Sequence, residues 1–505
     1  MAPRALALVS ALALAAACGA GDVRREGTVL YASGAELQSI NPLVTTHPLA
    51  RQVQKFVLFT TLARYDEHLV PGPYLARSWT WSADRRRLHF ELHRGVRWHD
   101  GVPTTAADVV WTLESARDPS AGYPRAADLV TVRSVTARDS FHVEIAFDEP
   151  QGAFPDVLTD LAILPAHRLA GVSGRELRAA PFNHDPVGNG PFRYIRHEPN
   201  RRWIFERNAE FPAVLGGPPA LERLVIAIVD EPTTKLAALT SGELDVAGIN
   251  PAHAGFVRGT RYLAVRDYPV LMTYLLVLNL RRAPFGDRRV REAIDLAVDR
   301  EAIVRGYLYG FGTPAVGVIP PDHPAASPLA APAPNPDSAR RLLAAAGFGP
   351  GRPFGFELLT VTTGENALEQ MLQAQLARAG VRVTIRAIEL GAFLARAQSA
   401  ARDFDALAIG VPGDLALSYV RGLFDSRRLG EPLQYAGYAN PVLDRALDAA
   451  RWADVERILA VERPVVFLYH GRGVQGVTRR LAGAVMDLRG ELPTVTRWTL
   501  TERGL

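Results

Sequence analysis
The sequence predicts an α/β protein folded in more than one lobe. At 505 residues the chain is longer than one hydrophobic core usually supports. Phe354–Val361, Ala367–Ala379 and Val381–Ala387 follow strand, helix and strand patterns in turn, the β–α–β unit of a mostly parallel sheet. Leu224–Val229 and Leu244–Ile249 are further apolar strands around the short helical pattern Thr233–Leu239. A hydrophobic share of 48% against 22% charged residues describes an ordinary globular protein. The net charge is only +4, and Lys55 and Lys235 are the only lysines. The arginines that supply most of the positive charge are spread along the chain, so no nucleic-acid partner is inferred.

Taken in order, Arg4 precedes the small and apolar run Ala5–Ala17, interrupted only by Ser10, and Cys18 follows. This is the layout of a secretory signal, with an apolar segment too short to span a bilayer. Cys18 is the only cysteine, so no disulfide framework is expected. Thr28–Ser33 reads as a first strand, Ile40-Asn41-Pro42-Leu43 as its turn, and residues 51–65 as a helix presenting Val53, Phe56, Val57 and Leu58. Trp79 and Trp81 alternate with polar residues, as do Leu88, Phe90 and Leu92, which predicts a hairpin turning at Asp84-Arg85-Arg86. Thr105 and Asp108 form a capping box ahead of a helix with Val109, Val110 and Leu113 on its apolar face.

Residues 115–181 carry mixed strands, such as Phe141–Phe147 and the Pro-punctuated Ile163–Leu169. In Pro186-Val187-Gly188-Asn189-Gly190-Pro191-Phe192, two glycines and two prolines predict a tight turn. A hairpin around Glu198-Pro199-Asn200 follows. Tyr274–Asn279 reads as a strand, Asp287 caps a helix with Val290, Ile294, Ala297 and Val298 inward, and Asp299 caps the next. Asn335-Pro336 supplies the cap and first residue of another helix, which stops at Gly347. Phe404–Gly410 is a buried strand.

Catalytic signatures are missing: there is no HExxH, no GxSxG and no P-loop lysine. His89, His93 and His99 suggest a metal site by spacing alone, but no carboxylate or cysteine pattern completes one, so they are read as surface or hairpin-packing residues. No pair of carboxylates stands out for acid–base work.

Read as ordered text, GVRWHDGVPTTAADVVWTLE (95–114) resembles the most recognisable stretch of solute-binding family 5, the extracytoplasmic receptors of peptide and nickel ABC importers. Asn41-Pro42, PVGNGPF (186–192) with Glu206-Arg207-Asn208, IVDEPTTKLAALTSGELDV (228–246) and Ala283-Pro284-Phe285-Gly286-Asp287 resemble further family motifs in the family's order. The resemblance spans about Thr28 to Val477. Two departures stand out. The linker between Asp444–Leu447 and Arg457–Leu459 is short, and Val411–Ala416 stands where the family shows an aromatic and a repeated acidic motif.

The resemblance implies a two-lobed periplasmic-binding-protein fold of class II, similar to cluster C, with an extra subdomain in lobe I. Lobe I would comprise 27–46, 182–270 and 474–505, the extra subdomain 47–181, and lobe II 271–473, after a signal peptide (1–18) and a tether (19–26). Leu14-Ala15-Ala16-Ala17-Cys18 resembles a bacterial lipobox, which would make Cys18 the lipid attachment point and place the protein on the outer face of the cytoplasmic membrane. The implied function is capture of a solute by the receptor of an ABC importer, for delivery to a permease served by separate ATPase subunits. The leading cargo is a short peptide; a metal chelate, sugar or opine-like solute is the alternative, and a secreted hydrolase is the reading from another class. Neither cofactor nor catalytic residue is implied, and a monomer is expected. Asp414, after Gly413, stands where the family's peptide binders meet the ligand's α-ammonium; it could equally cap the helix Leu415–Leu423. Thr45, Thr46, His47 and Tyr274 are further candidates for lining the ligand site, weighed against ordinary packing.

Overall fold
The computed structural model describes residues 26–501 apart from Thr46, Thr363 and Ala400, so Cys18 and Thr46 lie outside the described residues. The chain divides into two units. The first runs to Arg266 and resumes at Gln475; the second is Asp267–Val474.

The first unit holds β1 (Thr28–Ser33), β2 (Ala63–Tyr65), β3 (Pro71–Pro73), β4 (Ala76–Trp81), β5 (Arg87–Leu92), β6 (Val132–Ala137), β7 (His142–Phe147), β8 (Phe192–Glu198), β9 (Arg202–Arg207), β10 (Arg223–Ile228) and β11 (Val246–Gly248), and the chain leaves it within β12 (Leu263–Leu278). One sheet runs β11-β1-β10-β9-β8, with β1 parallel to both neighbours and the rest antiparallel. A separate antiparallel sheet, β4-β5-β7-β6, is made of residues 76–147. Both sheets contribute to one apolar core that includes Val29, Tyr31, Leu88, Phe90, Trp98, Ile145, Phe205 and Trp498.

The stretch after the first hairpin folds as its sequence predicts, and the reason is Asp108. The capping box of the helix Ala106–Arg117 is formed, with Thr105 N–H donating to Asp108 Oδ2 at 2.8 Å. The same oxygen accepts from Trp98 Nε1 at 3.2 Å, and Oδ1 accepts from Ala166 N–H at 2.9 Å. One buried carboxylate thus ties a helix start, a core tryptophan and a distant loop together.

Gly188 and Gly190 correct the tight-turn reading, since neither has positive φ. Close approach explains them: a Cβ at Gly188 would stand 2.0 Å from the Leu58 carbonyl oxygen, and one at Gly190 would stand 2.5 Å from the Leu58 carbonyl carbon. Gly190 N–H donates to that oxygen at 2.8 Å, and Asn189 Oδ1 accepts from Thr60 N–H at 2.9 Å. His99 joins the same loop, its Nε2 donating to the Gly190 carbonyl at 3.0 Å. Burial pushes its imidazole down to about 4, so it stays neutral. His89 instead lies beside Glu144, 3.2 Å away.

Three local readings are corrected. The helix placed at 51–65 is Pro48–Val53 followed by a π-helical turn, Gln54–Leu58, and the chain is extended from Phe59 because Thr60 is held by Asn189. Ile163–Leu169 contains no strand; after Pro165 it makes one helical turn, Ala166–Leu169. Tyr274 does not open a strand but lies late in the 16-residue β12.

The second unit takes over within β12 and contains β13 (Gly312–Pro314), β14 (Phe354–Val361), β15 (Val381–Ile388), β16 (Ala406–Pro412) and most of β17 (Val465–Thr478). Its sheet runs β15-β14-β16-β12, with β14 parallel to both neighbours and β16 antiparallel to β12, while β13 pairs with β17. Leu275, Val277, Leu359 and Leu407 face one core, and Leu276, Leu278, Leu358 and Ala406 the other. Burial on both faces is why these strands read as unbroken apolar runs. The last residues of β17 belong to the first unit, where Gln475–Val477 pair antiparallel with β11.

Candidate functional site
Topology points to one edge of the second unit. The helix Ala367–Arg378 joins β14 to β15 and packs Leu368, Leu372 and Leu376 on one face of the sheet. The helix Leu390–Gln398 joins β15 to β16 and packs Phe393 and Ala397 on the opposite face. The order β15-β14-β16 therefore places a topological switch between β14 and β16. In open α/β sheets ligands bind in the crevice outside the carboxyl ends of such strands. Here that edge carries Thr360 and Val361 on β14, and Gly410 to Asp414 at the end of β16.

Asp414 is half-buried at this edge and has a full set of donors. Its Oδ1 accepts from Ala416 N–H and Ser418 N–H, each at 3.0 Å, and its Oδ2 from the Ser418 hydroxyl at 2.6 Å and Tyr419 N–H at 3.1 Å. The helix it caps is Ser418–Phe424, three residues later than the sequence suggests, with Leu417 in the left-handed region at φ 61° ahead of it. Gly413 is fixed rather than flexible: its N–H donates to the Leu271 carbonyl at 2.8 Å, and a Cβ there would meet the Tyr419 ring at 2.8 Å. The Tyr419 hydroxyl donates to the Val318 carbonyl at 2.8 Å; burial, then the charge of Asp414, pushes its ionisation well above the usual range. His323 holds the loop from the other side, with Nε2 donating to the Leu415 carbonyl at 3.1 Å and Nδ1 accepting from Ala325 N–H at 3.1 Å. Burial lowers its basicity and favours this neutral form.

Tyr274 lies on the other face of the same sheet. Its ring stacks on Tyr469 at 4.5 Å, and Tyr307 tilts against Tyr469 at 6.3 Å. Glu369, on the helix after β14, accepts from the Thr360 hydroxyl at 2.6 Å. Burial, followed by neighbouring Tyr274 and Glu369, raises the Tyr307 hydroxyl above its ordinary value.

In the first unit the candidates have structural partners. The Thr45 hydroxyl donates to Gln38 Oε1 and accepts from His47 N–H, both at 3.2 Å. His47 caps the helix Pro48–Val53, its Nδ1 accepting from Ala50 N–H at 3.3 Å. Burial lowers its basicity, against the pull of Glu36. The structure therefore brings Asp414 and Gly413 together in one loop and Tyr274 to the neighbouring face, and places Thr45 and His47 in the first unit. Sequence reasoning missed His323, Ser418, Tyr419, Tyr307 and Glu369. Among the described residues no group of three or more His, Cys, Asp or Glu side chains could hold a metal ion, and no helix is long and apolar enough to cross a membrane.

Solved structures of binding proteins share this fold. The ABC transporter substrate-binding protein CtaP from Listeria monocytogenes aligns with a TM-score of 0.84 at 20% identity, covering 95% of this chain and 100% of that one. The oligopeptide-binding protein AppA from Bacillus subtilis, in complex with a nonapeptide, aligns with a TM-score of 0.75 at 23% identity, covering 94% and 99%. The two-unit α/β architecture is thus that of the periplasmic binding proteins. The chain belongs to the bacterial extracellular solute-binding proteins, family 5, whose middle region matches residues 70–424. A relative named probable di/tripeptide-binding protein 5, from Pseudomonas aeruginosa (strain UCBPP-PA14), is 28% identical over 82% of this chain and 81% of its own length.

Proposed function
We propose that this protein takes up a short peptide and delivers it to the permease of an ABC importer, without turning it over. Support comes from relatives named as di/tripeptide- and oligopeptide-binding proteins that match 82% and 96% of the chain. The observation that carries the reading to residues is Asp414, a carboxylate at the carboxyl end of β16 beside the topological switch. All of its acceptor positions are in use, so an incoming α-ammonium replaces the Ser418 hydroxyl on Oδ2 and inherits a preorganised site. Gly413, Tyr274, Thr45, Thr46 and His47 are the remaining lining residues of this proposal.

The test is calorimetry and thermal unfolding with di- and tripeptides. A peptide at about a hundred times its dissociation constant adds roughly 2.7 kcal/mol to stability by mass action. Failure of all peptides, with binding of a nickel–histidine chelate, a sugar or an opine, moves the proposal to the alternative cargo. Release of amino acids from a bound peptide overturns the receptor reading in favour of a hydrolase.

Export and anchoring form the second part of the proposal. Cys18 is the lipidated first residue of the mature protein, which acts as a monomer on the outer face of the cytoplasmic membrane. One acyl chain gives only marginal attachment, so a stable anchor needs the several chains of a bacterial lipoprotein. Cys18→Ser is expected to move the protein from the membrane fraction to the soluble one. Retention of Cys18→Ser in the membrane fraction would refute the anchor.

A further inference from the structure
Six Asp and Glu residues among the described residues are buried: Asp108, Asp245, Asp295, Glu369, Asp425 and Glu456. Five have ample partners. Asp245 meets Arg480, Asp295 meets Arg300 and Arg463, and Asp425 meets Arg427. Asp108 accepts from Trp98 and two backbone N–H groups, and Glu456 from the N–H groups of Ile319 and Ser327. Glu369, 7% exposed, has the Thr360 hydroxyl as its one side-chain partner among the described residues. A buried carboxylate without a cation or several donors is costly, and a position that leaves one so is prepared for a partner from outside.

The surroundings specify that partner. Glu369 accepts a hydrogen bond from Thr360, the penultimate residue of β14, beside the switch crevice, and the Tyr274–Tyr469 stack with Tyr307 lies on the same face. Met371, on the same helix, lies against Gly306, the residue before Tyr307. Tyr307 is 36% exposed, so the aromatic group opens to solvent at that ring. A carboxylate and tyrosine rings suit an ammonium or guanidinium on an apolar stem. They do not suit a transition metal, which would need further nitrogen or sulfur ligands.

We infer that Glu369, with Tyr307, Tyr274 and Tyr469, forms a pocket for a basic side chain of the solute. This rests on the peptide reading above and adds a specificity to it: peptides carrying lysine or arginine are favoured over neutral ones of equal size. Glu369 is distinct from Asp414, whose acceptor sites are already filled.

The test compares Lys-Ala-Ala, Ala-Lys-Ala and Ala-Ala-Lys with their norleucine counterparts and with Ala-Ala-Ala by calorimetry. At least one lysyl peptide should bind about tenfold or more tightly than its norleucine counterpart, as expected for a desolvated charge pair. Glu369→Gln keeps an acceptor for Thr360 and removes the charge, so the ratio of lysyl to norleucine affinity should fall to about twofold or less. Tyr307→Leu should also reduce it. Thermal unfolding separates this from a structural role. Without ligand, Glu369→Gln should melt no lower than wild type, because it keeps the Thr360 contact and replaces a buried acidic group that has no cation beside it among the described residues. A lower melting temperature with the lysine preference intact overturns the inference. So does wild-type binding of Ala-Ala-Ala with no preference for lysine, which leaves the peptide reading standing. Binding of no peptide at all overturns both.

Discussion
Asp160→Asn should unfold at markedly lower urea than wild type, with a loss of about 3–5 kcal/mol, the usual result of removing one partner from a buried charge cluster. The Asp160 side chain is 9% exposed and pairs with Arg51, with Lys55 at 2.8 Å and with Arg125 at 2.8 Å. Arg125 reaches on to Asp156 at 2.9 Å and Asp128 at 2.6 Å, so the cluster joins the helix Pro48–Val53, its π-helical continuation, the loop at 125 and the helical turn Val157–Asp160. Asparagine keeps the volume, leaves Arg51 and Lys55 without their carboxylate, and leaves Arg125 with Asp156 and Asp128 only. The pH dependence carries a definite sign. Burial alone would raise the Asp160 carboxyl, but the charges of Lys55, Arg51 and Arg125 outweigh it and hold the group far below its ordinary value. A depressed folded value gives stability that is complete above the unfolded value, about 3.9, and is lost as pH falls below it. Wild type should therefore lose stability more steeply than Asp160→Asn as pH drops from about 4 towards 2. Equal midpoints for the two proteins in urea at pH 7 would show that solvent screens the cluster.

Asp414→Asn should weaken binding of a free-amine peptide by about 2–5 kcal/mol, the cost of truncating one side of a hydrogen-bonded charge pair. N-acetylation of the peptide should weaken wild-type binding by a similar amount. The two changes together should not add, because both delete one contact. The capping role predicts little else. Asparagine keeps one acceptor oxygen for the Ala416 and Ser418 N–H groups, but its amide nitrogen cannot accept from Tyr419 N–H, so the helix Ser418–Phe424 should survive with a modestly lower melting temperature, read separately from affinity. Calorimetry on the four combinations decides the matter. Unchanged affinity in a folded Asp414→Asn reduces the residue to a cap and removes the α-ammonium contact from the proposal.

Local chemistry was legible in the sequence, and contacts between distant residues were not. The capping box at Thr105 and Asp108, the caps at Asp287, Asp299 and Asn335, and the hairpin around Asn200 all form as read, since each depends on residues a few positions apart. Gly188 and Gly190 were misread as turn residues because their reason is the backbone of Leu58, far away in sequence. The helix given to 51–65 overran for a related reason: apolar spacing at Phe56, Val57 and Leu58 cannot reveal that Asn189 holds Thr60 in an extended segment. The place of Asp414 just after the buried strand β16 is legible in the sequence, and its saturation by Ser418 and Tyr419 is not. Glu369 leaves a readable trace in the sequence. It falls three and seven residues before Leu372 and Leu376, so a carboxylate sits on the buried stripe of its helix. That it meets one hydroxyl and no cation among the described residues is tertiary information.

The return of the chain from the second unit to the first has a consequence for biosynthesis. β11 obtains its outer neighbour only from Gln475–Val477, and the buried Trp498 and the Arg480 that pairs with Asp245 are also supplied by the last stretch of the chain. A ribosome delivers the N-terminus first, so every residue of Asp267–Val474 emerges while β11 still presents a bare edge. The second unit, being continuous, has its whole sequence available before the first can close. A nascent chain stalled anywhere in that interval carries an unpaired strand edge, the kind of surface that holdase chaperones and proteases recognise.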